Sequence, residues 1–496
     1  MQHHDLAQQL FLAQQVREYE SKAAARAGVS MFTLMKRAGQ AVFIQCVAHF
    51  PNVQRYVILV GHGNNAGDAY IVASLAKQAG KEVAVLAADL NKQLSGDALT
   101  AQRQWQALGG SIENYTANAL NNAEIIIDGL LGTGLNNTVR EPFLTMIKEI
   151  NAQPLPIIAI DLPSGLNADT GMVQGAAIKA TITVTFVGIK QGLTTGLGRT
   201  YVGQLIFDDL AIADEFSALT TATASRVNIN SFQRMAKRPE HSHKGSHGKL
   251  LCIGGNQGTA GAIRLSGEAA LRMGAGAVRV YTHHTSVMPI SIGRPELMVS
   301  AEDLDSALRW ASCVVIGPGL GQDDWAQHTF DKVMLFCLAK AIPLVMDADA
   351  LNLLANSVNH YHLRHTVMTP HPGEAARLLS VSCHAIEANR FYYAKQLATR
   401  YAATCVLKGA GTIIDSDAHT WVCEEGSPAL AVAGSGDVLT GVIGGLLAQG
   451  LDTELAARYG VTLHAKAGSI AAEQSGERGM LASDLFMIIR QLVNCS

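Results

Sequence analysis

Near the C-terminus the run Gly434-Ser435-Gly436-Asp437 opens the apolar stretch Val438-Leu439-Thr440-Gly441-Val442-Ile443-Gly444-Gly445-Leu446-Leu447. Glycines let a backbone approach a ligand closely, and the apolar stretch has the character of a buried helix whose first amides point back at the turn. Such amides hold phosphate oxygens, and a carboxylate beside them orients or deprotonates a hydroxyl, which is what phosphoryl transfer requires. A tight turn without a ligand is the plain alternative. Against it stands a second flexible, polar loop, Lys408-Gly409-Ala410-Gly411-Thr412, suited to clasping a nucleotide. Its lysine precedes the glycines, so it is not a Walker A loop.

Three more clusters lie in the first half: Asn64, Asn65 and Asp68; Asp128 with the loop Gly132-Thr133-Gly134-Leu135-Asn136-Asn137-Thr138; and Asp161-Leu162-Pro163-Ser164-Gly165. Each follows a short apolar run, and open α/β sheets collect ligands at the carboxyl ends of their strands. Oxygens of Asn65, Asp128 and Ser164 suit a hard cation, while the 132–138 loop offers amides to phosphates. Any one of these residues is as readily a helix cap; three clusters together point to a site. Gly61-His62-Gly63 lacks a third glycine at the fingerprint spacing, where Ala66 stands, so ordinary NAD-dependent hydride transfer is poorly supported.

In the second half, Gly254-Gly255, Gly317-Pro318-Gly319-Leu320-Gly321, Asp347-Ala348-Asp349 and Thr369-Pro370-His371-Pro372-Gly373-Glu374 occupy equivalent strand ends. Asp347 and Asp349 suit a magnesium-bound phosphate, and Asp349 equally suits a helix cap. His371, stiffened between two prolines, is placed to contact a ligand. The histidines of 241–247 have no cysteine or second histidine pair at metal-ligand spacing and read as a polar entry segment.

The elements that position these clusters are short apolar runs alternating with helical stretches. In the first half the runs are Tyr56 to Val60, Glu82 to Leu86, Glu124 to Asp128 and Pro156 to Asp161, with further strands expected at Ala180 to Val187 and Gln204 to Phe207. In the second they are Lys249 to Ile253, Val278 to Tyr281, Cys313 to Ile316, Pro343 to Met346, Val367 to Met368 and Thr404 to Leu407. Buried strands alternating with helices predict mostly parallel sheets covered on both faces. Before the first strand, Leu10, Leu12, Val16 and Phe32 to Val42 follow helical spacing, broken at Gly28. Periodicity fades after Ala211 and Ser, Thr and Ala accumulate, which predicts domains at 1–220 and 241–496 with a linker at 221–240.

With 496 residues, 48% hydrophobic and 16% charged, the chain has the composition of a well-buried globular protein of two substantial domains. A net charge of -3 leaves no electrostatic footprint for nucleic acid. No apolar run is long enough to span a bilayer and no signal-peptide pattern opens the chain, so no membrane partner is expected and the location expected is cytoplasmic. The eight cysteines lie in apolar stretches without CxxC spacing, as reduced, buried thiols do.

The block Val-Gly-His-Gly-Asn-Asn-Ala-Gly-Asp, with Asp128, the Gly-Thr-Gly loop and Asp-Leu-Pro-Ser-Gly, resembles the epimerase domain of the bifunctional NAD(P)H-hydrate repair enzymes. The order Gly-Pro-Gly, Asp-Ala-Asp-Ala-Leu, Thr-Pro-His-Pro-Gly-Glu, Lys-Gly-Ala-Gly-Thr and Ala-Gly-Ser-Gly-Asp resembles the dehydratase domain of the same family. The resemblance implies a Rossmann-like three-layer α/β/α domain followed by a ribokinase-like α/β domain. It implies epimerisation of R- and S-NADHX and NADPHX, cofactors hydrated at C6, and dehydration of the S form at the expense of ADP or ATP. By the same resemblance Asn64, Asn65, Ala66, Gly67, Asp68, Gly132, Thr133, Gly134, Leu135, Asn136, Asn137, Thr138 and Asp161 touch the hydrate in the first domain, where Asn65, Asp128 and Ser164 hold potassium. In the second, Ala262, Gly319, His371 and Asp437 face the hydrate, and Lys408, Gly409, Ala410, Gly411, Thr412 and Gly436 face the nucleotide, with magnesium as its cation. Asp161 and Asp437 are the expected catalytic residues, ADP is favoured over ATP, and a homo-oligomer is expected. The family pattern has Gly-Gly-Asp-Gly where this chain has Ala66-Gly67-Asp68-Ala69. A ribokinase-like small-molecule kinase fused to a nucleotide-binding domain is the second enzymatic reading; a first half reduced to a sensing or scaffold module is the third.

Overall fold

Uninterrupted branched apolar runs dictate the central sheet of the first half. A computed structural model describes residues 6–135, 137–233 and 235–494, and the chain divides after Ser225 into two compact units. The first unit carries β1 (Gln9–Phe11), β2 (Arg55–Val60), β3 (Glu82–Ala87), β4 (Glu113–Asn114), β5 (Ile125–Gly129), β6 (Ile157–Ile160), β7 (Ile182–Phe186), β8 (Ile189–Lys190) and β9 (Gln204–Asp208), and β10 (Ala224–Val227) lies at the division. Seven of them form one parallel sheet in the order β4-β3-β2-β5-β6-β7-β9. Because side chains alternate across a strand, Tyr56, Ile58 and Val60 join one core with Ile125 and Ile127, while Val57 and Leu59 join another with Ile126. Helices Ala13–Arg26, Met31–His49, Asn64–Gln78 and Gly96–Ala107 cover the first core, and Phe143–Asn151 covers the second. From β2 the order runs to β3 on one side and β5 on the other, so a crevice opens beyond their carboxyl ends, where Asn64 and Leu130 follow.

Leu10 and Leu12 do not belong to the first helix, contrary to their spacing. Gln9–Phe11 is a strand, parallel to β8 with Phe11 opposite Lys190 and antiparallel to β10 with Gln9 opposite Ser225; the helix starts only at Ala13. Adjacent Leu10 and Phe11 are both fully buried, so tertiary pairing overrides the local period. Gly28, at φ 69°, does separate the first two helices. The stretch 221–240 holds strand β10 and the 3-10 turn Ile229–Ser231.

The second unit carries β11 (Lys249–Ile253), β12 (Ala277–Tyr281), β13 (Met298–Ser300), β14 (Cys313–Ile316), β15 (Leu344–Met346), β16 (Thr366–Met368), β17 (Thr404–Leu407), β18 (Thr412–Asp415) and β19 (Thr420–Cys423). The order is β13-β12-β11-β14-β15-β16-β17-β18-β19, parallel through β17 and antiparallel in the last two pairings. One face of this sheet packs Leu250, Cys252, Val315 and Val345 against helices Ala260–Met273, Ser435–Ala448, Thr453–Ser475 and Leu485–Asn494. The alternate residues Leu251, Ile253, Val314 and Ile316 are equally buried, so both faces are covered and both units have the layered α/β architecture expected. Among the described residues no helix is long and apolar enough to cross a membrane. The described cysteines are free thiols, and all are buried except Cys383, which is exposed at the start of a short helix; Cys495 lies outside the described residues.

Helices Ala260–Met273 and Ser435–Ala448 touch backbone to backbone. A Cβ at Gly441 would stand 2.1 Å from the Ser266 carbonyl, and the Ser266 hydroxyl donates to the Asp437 carbonyl at 2.8 Å. This contact seats the first turn of the Asp437 helix. Gly441→Ala overpacks it and is expected to cost about 1–3 kcal/mol, seen as a lower urea midpoint at constant slope; an unchanged midpoint would contradict the close approach.

Candidate active sites

In the first unit a cavity of about 770 Å³ opens at the strand ends, walled by Glu20, Asn64, Asn65, Asp68, Asp161 and Lys190 among others. Its apolar part comes from Met31, Leu34, Met35, Phe143 and Phe186. Asp161 leaves β6 at φ 66°, a conformation that costs a non-glycine residue energy and persists only when its surroundings enforce it. The enforcement is visible: its amide donates to the Val184 carbonyl at 2.7 Å, and its Oδ1 accepts from the Lys190 ammonium, from Thr185 Oγ1 at 3.1 Å and from the Phe186 amide at 3.3 Å. The ammonium is buried, and its remaining protons go to Thr185 Oγ1 at 3.2 Å and the Phe186 carbonyl at 3.1 Å. Among the described residues nothing donates to Asp161 Oδ2. Two more carboxyls share this wall. Burial pushes Asp68 well above the usual carboxylate range, the charges of Asp161 and Glu20 add to that, and Lys190 opposes it. Glu20 is pushed up to about 7 by burial, with Lys190 pulling down and Asp161 pushing up.

Beside the cavity, Asp128 is fully buried at the end of β5. Its carboxylate accepts from Ser164 Oγ at 2.6 Å, from the Ser164 amide at 2.8 Å and from the Leu130 amide at 3.2 Å. Asn65 Nδ2 donates to the Leu131 carbonyl at 3.1 Å, which turns its amide oxygen elsewhere. Burial nevertheless pushes Asp128 up to about 6, with the Ser164 hydrogen bonds holding it down only in part. A buried carboxylate satisfied only by neutral donors, with side-chain and carbonyl oxygens around it, fits an alkali cation. Among the described residues no group of His, Cys, Asp and Glu makes a site for softer metals.

In the second unit Lys408 stands at the end of β17 with its ammonium 2.7 Å from Asp347 Oδ1 and 3.9 Å from Glu374 Oε2. The other Asp347 oxygen accepts from Thr440 Oγ1 at 2.6 Å. Burial alone would lower Lys408, but the Asp347 and Glu374 charges outweigh it and the ammonium is held above its usual range. Asp437 lies in the first turn of Ser435–Ala448, beyond Gly434 at φ 86°. It is pushed up to about 6 by burial, with Asp347 adding and Lys408 opposing. Glu374, buried, is pushed up to about 7 by burial, with Lys408 lowering it and Asp347 raising it. A Cβ at Gly436 would lie 3.4 Å from Lys408 Nζ, so the glycine turn and the lysine loop meet. Gly409, at φ 146°, has no room for a side chain because the buried Arg390 guanidinium would stand 2.7 Å from its Cβ. That guanidinium donates to the Leu407 and Lys408 carbonyls at 3.2 and 3.0 Å and fixes the loop's exit from the sheet.

Several site expectations change meaning here. Asp349 neither caps a helix nor points free: it accepts from the Gly321 amide at 2.8 Å and lies within reach of Asn352, 3.3 Å away. With both Asp347 oxygens occupied as well, this acid pair is not a ready magnesium site. His371 is exposed and caps the helix Pro372–Leu379, its Nδ1 accepting from the Gly373 amide at 3.0 Å. Gly319 interlocks with Thr259, whose Oγ1 donates to its carbonyl at 2.7 Å, and Ala262 sits one turn ahead of Ser266 on the helix that seats Asp437. Thr412 closes its own loop, donating to the Gly409 carbonyl at 3.0 Å. In the first unit Gly132, Thr133, Gly134 and Leu135 line the cavity, whereas Ala66 and Gly67 are buried against the helix layer and Asn137 and Thr138 are not in the wall. Asn136 lies outside the described residues. Sequence reasoning missed Lys190, Glu20, Thr440 and His464. His464 is held down to about 4 by burial and sits 3.3 Å from Ser435 Oγ under the glycine turn. The available signal was a lone lysine in the apolar run Val187 to Leu193 and a lone histidine in the apolar helix Thr453–Ser475.

Comparison with known proteins agrees with this division of the chain. Residues 250–491 match the family model described as NAD(P)H-hydrate dehydratase, and residues 32–192 match that described as YjeF-related protein N-terminus. The chain is 44% identical over 490 residues to the bifunctional NAD(P)H-hydrate repair enzyme of Escherichia coli (strain K12), covering 98% of this chain and 94% of that one. It is 43% identical to the counterpart of Coxiella burnetii, covering 98% and 99%, and 37% identical to that of Leishmania braziliensis, covering 99% and 94%. Among solved structures, the ADP/ATP-dependent NAD(P)H-hydrate dehydratase of Bacillus subtilis, co-crystallized with ATP/Mg2+, is 28% identical at a TM-score of 0.47, covering 53% of this chain and 94% of that one. By identity over nearly its whole length, and by the order of its two domains, the chain belongs to the family of bifunctional NAD(P)H-hydrate repair enzymes.

Proposed function

We propose that the first unit interconverts the R and S hydrates of NADH and NADPH at C6, and that the second removes water from the S hydrate at the expense of ADP, giving AMP and phosphate. The observation that carries the second activity is the Asp437 carboxyl, placed at a glycine-started helix N-terminus beside the Lys408–Asp347 pair. Hydroxide leaves a carbinol carbon poorly. Asp437 therefore orients the C6 hydroxyl and takes its proton while the terminal phosphoryl group of the nucleotide transfers to that oxygen. Amides of Gly434 to Gly436 stabilise the charge on the transferred group. The phosphate then departs with the C6–O electron pair as the ring nitrogen donates its own, and loss of a C5 proton restores the double bond. Lys408 to Thr412 hold the nucleotide. Magnesium would be held by the nucleotide phosphates, whose charge it would offset, because Asp347 and Asp349 are already paired with protein groups. A kinase would share this geometry but leave a stable phosphoester, whereas the dehydratase releases free phosphate.

In the first unit Asp161 is the acid/base at C6, supported by the locked Oδ1 and open Oδ2 of its carboxylate. Asn65, Asp128 and Ser164 hold potassium, which supplies a positive charge to the buried Asp128. Through the Ser164 and Asn65 contacts to Leu131, the same residues set the entrance of the 132–138 loop. The second half of the reading is a cytoplasmic enzyme acting on NADHX and NADPHX alike.

Three outcomes follow. Asp437→Asn removes nucleotide-dependent recovery of reduced cofactor by at least about a hundredfold and leaves R/S interconversion intact; retained recovery sinks the role of Asp437. Because the base form of Asp437 is required and burial raises its pKa, kcat/KM for dehydration falls as pH drops through about 6 rather than through the ordinary carboxylate range; a rate flat down to pH 5 contradicts this. Replacing choline chloride by potassium chloride at equal ionic strength raises the melting temperature of the first unit's transition, and Asp128→Asn abolishes that difference; an equal response in the variant rules out the cation site.

A further inference from the structure

The three carboxyls around Lys190 differ in how they are satisfied, and the difference assigns roles. Asp161 has one oxygen saturated by an ammonium, a hydroxyl and an amide, and one oxygen with no donor among the described residues. Asp68, on helix Asn64–Gln78, accepts no hydrogen bond and makes no direct ion pair among the described residues, and neither does Glu20, on helix Ala13–Arg26; Lys190 reaches both only through its field, with Arg17 adding to it at Glu20. All three line the same cavity. A carboxyl without a donor holds its proton, and one locked to an ammonium gives it up. Two carboxyls in opposite protonation states around one carbinol carbon are what inversion of a glycoside uses, an acid for the leaving oxygen and a base for the incoming water. The C6 hydroxyl of the hydrate, next to a ring nitrogen, is a hemiaminal oxygen, the nitrogen counterpart of a sugar's anomeric hydroxyl.

We propose that Asp68 is the general acid that pairs with Asp161 as general base, and that the first unit inverts C6 by exchanging its hydroxyl for a water from the opposite face of the ring. The inference rests on the epimerase reading of this unit. In the forward direction the C6–O bond breaks and its electron pair leaves with the hydroxyl, which takes the Asp68 proton and departs as water. The nitrogen lone pair forms the N1=C6 bond, leaving a planar cation that the surplus of carboxyls over ammonium in this wall stabilises. A water then bonds to C6 from the other face and loses its proton to Asp161 Oδ2. The product is the opposite epimer, with Asp68 ionised and Asp161 protonated. The reverse turnover starts from that state, and Glu20 carries the proton from Asp161 back to Asp68 for another forward one. Nothing is oxidised or reduced, and water is the sole co-reactant. The burial that raises Asp68 well above the usual carboxylate range and brings Glu20 to about 7 supports this order of roles. The other titratable or charged groups facing the cavity are Arg17 beside Glu20, His62 before helix Asn64–Gln78, Asp97 on helix Gly96–Ala107, and Lys190 itself.

The test uses the full chain without nucleotide, so that dehydration is silent, and one epimer of the hydrate in water enriched in oxygen-18. Every molecule that inverts is expected to carry solvent oxygen at C6, above a protein-free control. Inversion with the original oxygen retained, as ring opening and closure would give, overturns the proposal while leaving the epimerase reading intact; no inversion at all brings down that reading instead. Asp68→Asn is expected to lose inversion and oxygen exchange together by at least about a hundredfold, with the melting transition of the first unit unchanged as proof of folding. Inversion by this variant at the wild-type rate would also overturn it. Glu20→Gln is expected to displace the pH profile of inversion with little change in KM, and an unmoved profile removes Glu20 from the relay.

Discussion

One ammonium, buried in the first unit and partly exposed in the second, set against three carboxyls is the interaction on which each unit depends. In the first unit it is Lys190 with Asp161, Asp68 and Glu20; in the second it is Lys408 with Asp347, Glu374 and Asp437. Removing a charge from water is costly unless a partner and further hydrogen bonds compensate, so one carboxylate in each cluster is paired directly with the lysine through one oxygen. The other carboxyls share what field remains. Their affinities for protons rise, which turns ordinary acids into groups able to hold a proton at neutral pH or to accept one only weakly. Deleting either lysine would strand a buried carboxylate and remove this division of roles at the same time.

The folds serve that arrangement by bringing strand ends together. Asp128 stands at the next-to-last residue of its strand and Asp161, Asp347 and Lys408 just beyond the last residue of theirs, at the carboxyl ends where a doubly covered sheet leaves an open crevice. Glycines act where backbone must pass close: Gly441 lets the Asp437 helix seat on Ser266, and Gly409 leaves space for Arg390. The Asp437 turn is thus fixed from below by packing and from the side by Thr440 holding Asp347. Little reorganisation is left for the chemical step.

Much of the scaffold was legible because its strands are continuous apolar runs. Cys313–Ile316 and Thr404–Leu407 begin and end where their sequence suggests. The strands that escaped notice are short or exposed: Glu113–Asn114 is exposed, Gln9–Phe11 sits next to a helical pattern, and Ile189–Lys190, Ala224–Val227, Met298–Ser300, Thr412–Asp415 and Thr420–Cys423 are two to four residues long. Carboxylates at strand ends were readable from placement alone. Their partners were not, since Glu20 on a helix surface and Thr440 inside an apolar helix look in sequence like any solvated acid or filler hydroxyl. Lys408, expected to face a nucleotide, is tied first to Asp347, and His371, expected to face the hydrate, first caps its own helix. Tertiary pairing, invisible to local pattern, decides these assignments.

Two complete sites on one chain must carry repair through from the wrong epimer. The most direct measurement supplies pure R hydrate and ADP to the intact protein and follows reduced cofactor, free phosphate and AMP together. Complete conversion of the R hydrate is expected, with one phosphate and one AMP released for each cofactor restored. Persistence of R hydrate beside an active dehydratase, or a phosphorylated cofactor accumulating in place of free phosphate, would contradict it.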